Sequence, residues 1–155
     1  MVYIEVTETG KAVMEYHPES GKVTEVFEST VLDISHPLLT PDYLFLVAPL
    51  RGKDELYAFK RKSRQLFRDS TGCSYGLAYP SMGQGQWIAF SRYQADGYKP
   101  YAAKVKEMDW TPVSFPASDP FRMAAKTRQE ENQISGRFLK MSRKEQKVKM
   151  GSSAA

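Results

Sequence analysis

The chain has 155 residues, 41% hydrophobic and 12% aromatic, with 22 Lys and Arg against 18 Asp and Glu for a formal net charge of +4. A chain of this size can bury a real core and is most simply one domain. One cysteine, Cys73, and two histidines, His17 and His36, exclude an internal disulfide and argue against a metal site built from these residues, so no cofactor is expected.

The chain opens "MVYIEVTETG", with no positive start followed by an apolar run, and its longest apolar stretch, "YLFLVAPL", is too short to span a bilayer. The expectation is an intracellular (cytoplasmic) location or a place within an assembled particle, not secretion by a signal peptide and not a membrane. The charge is uneven. Residues 1–50 carry two Lys and eight Asp or Glu, net −6, whereas residues 51–117 and 118–155 are each net +5. A charge dipole of this kind suits ordered stacking or contact with an acidic surface.

Residues 1–113 read as a β body. "VYIEVTE" alternates, with Val2, Ile4 and Val6 on one face and Tyr3 and Glu5 on the other. "TGK" is a tight turn in which Gly10 takes positive φ. "KAVMEYH" and "KVTEVFESTVLDI" flank a turn at Pro18–Gly21, completing three strands of a meander. "SHPLLTPDY" reads as a crossing loop, because Pro37 and Pro41 restrict themselves and their preceding residues. "YLFLVAPL" is apolar on both faces and predicts a central strand covered on both sides. "LYAFKRKS", "QLFRD", "CSYGLAYP", "QWIAFSRYQ" and "YKPYAAKVKEM" follow, separated by turns that mostly carry Gly. The expected fold is mainly β, an antiparallel meander or small barrel of about 8–9 short strands.

"TPVSFPASDPF" changes the character of the chain. Pro112, Pro116 and Pro120 mark a linker over 112–118, followed by a helix over about 120–133 capped at Ser118 or Asp119. Residues 114–155 form an extended, partly helical basic arm with too little apolar surface to order alone. Its expected partner contacts are Phe121, Arg122 and Arg128, then Arg137, Phe138, Lys140 and Met141, then Arg143, Lys144, Lys147 and Lys149.

No catalytic constellation is visible. Cys73 has no histidine near it in sequence, and it reads as an inert thiol beside a turn. His17 and His36 each precede a proline and read as turn or surface residues. "SMGQGQW" lacks the Lys-Ser or Lys-Thr of a phosphate-binding loop and reads as a hairpin. "LYAFKRKSRQLFR" interleaves Tyr57, Phe59 and Phe67 with Lys60, Arg61, Lys62, Arg64 and Arg68, a pattern that also serves nucleic-acid contact. On a strand, however, those aromatics can equally face the core. Trp87, Phe90, Tyr93, Tyr98, Tyr101 and Trp110 are expected in the core and in strand pairing.

The sequence therefore predicts a non-enzymatic structural protein of a larger, virion-type assembly. Its arm docks on other protein subunits, copies of itself among the candidates, and it has no small-molecule substrate. The alternative is a nucleic-acid-binding or ribonucleoprotein component that uses the arm and residues 57–68.

Overall fold

The computed structural model describes residues 1–71 and 75–118. Cys73, the expected helix over 120–133 and all the arm contacts from Phe121 to Lys149 lie outside the described residues. The rest is mainly β, with eleven strands in three antiparallel sheets and two short 3-10 turns, Gln84–Gln86 and Val105–Glu107.

The first sheet is a meander of β1 (Val2–Thr7), β2 (Gly10–His17) and β3 (Lys22–Thr30). The central sheet contains β4 (Ser35–Leu39), β5 (Tyr43–Ala48), β6 (Glu55–Lys60), β7 (Gln65–Asp69) and β11 (Trp110–Val113), in the order β11-β7-β6-β5-β4. The third sheet is a second meander, β8 (Leu77–Met82), β9 (Trp87–Gln94) and β10 (Gly97–Lys104). None of the three closes on itself by hydrogen bonding, so the expected single meander or barrel is replaced by three sheets.

Two cores lie on opposite faces of the central sheet, and the period of two in its strands assigns side chains to each. Leu44, Leu46 and Ala48 of β5, with Tyr57 and Phe59 of β6, meet Val13, Val26 and Phe27 of the first sheet. The alternate residues Phe45, Val47, Leu56 and Ala58 meet Leu77, Ile88 and Phe90 of the third sheet, with Val105 and Met108. Phe45 is fully buried, as are Leu44 and Leu46 on the other side. The doubly covered strand read from "YLFLVAPL" is β5.

Eleven strands replace the expected eight or nine, and the two additions share a cause. β4 contains Pro37 and β11 contains Pro112, and both form the edges of the central sheet. A proline cannot donate to a ladder, but an edge strand has one side that needs no donor. Residues 35–39 of the expected loop and 112–113 of the expected linker therefore belong to edge strands.

The chain also stays on the body beyond β11. Phe115 meets Tyr57 edge-on at 4.8 Å and Phe27 at 5.6 Å. Thr30 forms a bridge with Ala117, and its buried hydroxyl donates to the Pro116 carbonyl at 2.7 Å. Residues 114–117 of the expected linker thus seal one side of the first core.

Candidate interaction site

The basic segment divides between scaffold and surface. Tyr57 is 0% and Phe59 5% exposed, so the two aromatics face the first core instead of solvent. Arg61 donates to Glu15 at 2.9 Å and to the Thr40 carbonyl at 3.1 Å, tying the β6–β7 turn to the first sheet and the β4–β5 turn. Lys60 lies over the Phe67 ring at 5.1 Å, and Arg64, with φ +56°, over Phe59 at 5.4 Å. Lys60, Lys62 and Arg64 are exposed at this turn. Arg68 is half-buried opposite Tyr57, and its Nε has no hydrogen-bond partner among the described residues.

Arg68 belongs to a cluster that the sequence did not reveal. Glu55, only 4% exposed, accepts hydrogen bonds from Arg51 at 2.6 and 3.2 Å and from the Tyr57 hydroxyl at 3.3 Å, with the Lys53 ammonium 3.8 Å away. Burial alone would raise the Glu55 pKa. The Arg51 hydrogen bond and charge, followed by Lys53 and Arg68, outweigh burial and hold the carboxyl below its usual range. Burial, then the Glu55 charge and hydrogen bond, push the Tyr57 phenol well above its usual value. The carboxylate's hydrogen bonds go to Arg51 and Tyr57, which ties the β5–β6 turn to β6.

The outer face of the first sheet is different. Ile4, Val13 and Phe27 are in register and pack against the core. The alternate positions therefore point outward: Tyr3, Met14 and Glu25 in one row, with Glu5 and Tyr16 beside it. Glu5, Glu8, Glu19, Glu25 and Glu28 are exposed, and none has an ion pair among the described residues. The paired acids of this region are Asp33 with Lys11 and Glu15 with Arg61 and His17. The result is an acidic surface interrupted by half-buried Tyr3, Met14 and Tyr16 and by exposed Val23.

His17 closes β2 and shares a hydrogen bond with Thr24 at 3.2 Å. His36, expected in a loop, sits in β4 at φ +51°, its ring edge-on to Tyr79 at 5.3 Å. The third sheet holds a second departure. Trp87, Tyr93 and Tyr98 are 43%, 46% and 63% exposed, so of the core and strand-pairing roles expected for them they keep the pairing and not the core. Ile88 and Phe90 take the inner face of β9, which leaves the odd positions outside. Tyr93 then pairs across the strands with Tyr98, their rings 5.0 Å apart. Phe90, Tyr101 and Trp110 do pack into the second core.

A cavity of about 460 Å³ opens between β3, β7 and β11, walled by Phe27, Phe59, Leu66 and Phe115 and rimmed by Glu28 and Arg64. Among the described residues no three His, Cys, Asp or Glu gather as a metal site, and no helix is long and apolar enough to cross a membrane. No protein-family model matches the chain, and no curated protein or solved structure shows significant similarity to it.

Proposed function

We propose that the chain is a non-enzymatic assembly subunit of a larger complex, in which residues 119–155 of one copy dock on the outer face of the first sheet of a neighbour. The observation that carries this reading is the set of five exposed, unpaired glutamates on and around that sheet. They stand against an arm of nine Lys or Arg and four Asp or Glu.

Charge alone gives a weak contact. An exposed ion pair is worth about 0.2–1 kcal/mol and is screened by salt, so five pairs contribute on the order of 1–5 kcal/mol. Apolar anchors must add the rest. Phe121, Phe138 and Met141 of the arm match the Tyr3, Met14, Tyr16 and Val23 positions of the acidic face in kind.

Reach is sufficient. The 37 residues after Ser118 span about 55 Å if helical and about 120 Å if extended. A body of 118 residues is about 35 Å across.

Size exclusion with light scattering tests the proposal on three forms: the full chain, the chain ending at Ser118, and the full chain with Lys140, Arg143, Lys144, Lys147 and Lys149 changed to Gln. The full chain should associate, and association should fall as salt rises from about 50 to 200 mM. At about 1 µM protein, too dilute for a small and weak contact to persist, the other two forms should be largely monomeric. Undiminished association of the Gln variant refutes the docking. Single-stranded RNA or DNA added to the same samples tests the nucleic-acid alternative, for which only Lys60, Lys62 and Arg64 of the 57–68 segment remain exposed.

A further inference from the structure

The first sheet offers a second contact that does not rest on the arm. β1 is an outer strand and pairs only with β2. At its start, the Tyr16 amide donates to the Met1 carbonyl at 2.7 Å and the Met1 amino group donates to the Tyr16 carbonyl at 2.8 Å. Pairs that exchange both bonds alternate along an antiparallel ladder with pairs that exchange none. Tyr3–Met14, Glu5–Ala12 and Thr7–Gly10 are therefore the bonded pairs. Val2, Ile4 and Val6 turn their N–H and C=O groups away from β2. Among the described residues, none of these six groups has a hydrogen-bond partner. β4 lies close to β1 without hydrogen bonding to it.

The other edges are treated differently. β4 carries Pro37, β8 Pro80, β10 Pro100 and β11 Pro112, and the open side of β3 takes the bridge from Ala117. Prolines on edge strands suppress strand-to-strand association. β1, "VYIEVT", has neither proline nor lysine and is rich in β-branched residues.

We infer that β1 is a homotypic pairing edge, through which two copies join their first sheets into one six-stranded sheet about an axis at Ile4. In that antiparallel register Val2 of one copy faces Val6 of the other, Ile4 faces Ile4, and Tyr3 faces Glu5. Each outward N–H meets an outward C=O, giving six backbone bonds. Val6, which shares a face with core-packed Val2 and Ile4 yet is 68% exposed, gains a Val2 neighbour. No like charges are opposed. Sliding the pairing by two residues places Glu5 against Glu5 or shortens the ladder to its first three residues. Sliding it by one mismatches the bonding groups. The self-complementary pattern thus selects one register.

A six-residue strand pair buries less than the roughly 1,200 Å² of a standard stable interface, so the dissociation constant belongs in the range of about 10⁻⁵ to 10⁻³ M. Sedimentation equilibrium of the full chain from about 10 µM to 1 mM, in salt high enough to screen the arm contact, should show a monomer–dimer equilibrium. Val6→Pro removes one outward N–H while leaving the β1–β2 bonds intact, and should weaken dimerisation at least tenfold. Val6→Thr, which keeps that N–H, should change it less than threefold. Hydrogen exchange supplies a second readout on the unaltered chain, since the Ile4 amide should exchange fast when dilute and become protected as concentration rises.

Three results overturn the inference: a monomer throughout the range, a dimer indifferent to Val6→Pro, or an Ile4 amide already protected in the monomer. The Gln variant of the arm separates the two contacts. It should retain the β1 dimer, and a dimer lost in that variant assigns association to the arm and removes the strand pairing.

Discussion

Replacing Glu55 by Gln tests the buried cluster of the central sheet most directly. The carboxylate is 4% exposed and accepts from Arg51, twice, and from Tyr57. Breaking a buried ion pair by removing one partner costs about 3–5 kcal/mol when the other charge stays trapped. Here the Arg51 side chain is 51% exposed and can turn to water, and the Gln carbonyl can still accept from Tyr57. These two escapes reduce the expected loss to about 2–3 kcal/mol. A body of about 118 residues unfolds with an entropy near 0.25 kcal/mol/K, so the midpoint should fall by about 8–12 °C.

The effect must also depend on pH with a definite sign. The folded pKa of Glu55 is lowered, so its contribution is full above the unfolded value, near 4.5, and disappears as pH falls through the folded value. Urea unfolding of both proteins at pH 7, 5 and 3.5 should therefore give a large difference at pH 7 and 5 that shrinks at 3.5. Groups common to both proteins cancel in that difference. A loss below about 0.5 kcal/mol at pH 7, or one that grows on acidification, refutes the cluster as a stabilising unit.

Further expectations follow from other seams. Phe115→Ala removes a half-buried ring and two edge-on aromatic contacts, and should cost about 2 kcal/mol in urea unfolding. Gly10→Ala places a Cβ 2.3 Å from the Thr30 carbonyl oxygen at φ +152°, so the β2–β3 packing must shift. It should cost about 3 kcal/mol, read as a lowered urea midpoint at unchanged slope. Trp87, exposed on the third sheet, should be quenched by acrylamide far more strongly than Trp110, whose indole nitrogen donates to the Val105 carbonyl at 2.9 Å. Comparing Trp87→Phe with Trp110→Phe assigns the two signals.

The legible parts of this fold are those where one periodicity dominates. "YLFLVAPL" announced a strand buried on both sides because no alternate position is polar, and β5 does feed two cores. The proline-bearing edges were not legible, because the same ring that breaks a central strand is harmless at an edge and sequence does not tell the two apart. The exposed tyrosines failed for a related reason. "WIAFSRY" is apolar at both odd and even positions, so only the packing of Ile88 and Phe90 decides that Trp87 and Tyr93 face out. Glu55 was hidden by its burial, since its partners Arg51 and Tyr57 lie within four residues of it but nothing in the sequence marks the carboxylate as buried. "RGKDE" reads as a charged turn, and only the pairing of β6 with β7 brings Arg68 opposite Tyr57.

The acidic face and the bare β1 edge occur on the same three strands, and each explains why the other persists. A sheet edge without proline or lysine is ordinarily a hazard, open to any strand that meets it. Glu5 on β1 and Glu8 in the adjacent turn disfavour acidic chains and the slid register that opposes Glu5 to Glu5, leaving Tyr3 opposite Glu5 as the one full-length antiparallel alignment free of like-charge contact. The same carboxylates that stop indiscriminate pairing are the groups a basic arm can neutralise. Joining two first sheets side by side doubles the acidic platform for such arms, so strand pairing and arm docking would reinforce each other. Raised salt should then uncouple them: screening weakens the arm contact and spares the backbone bonds of the β1 pair.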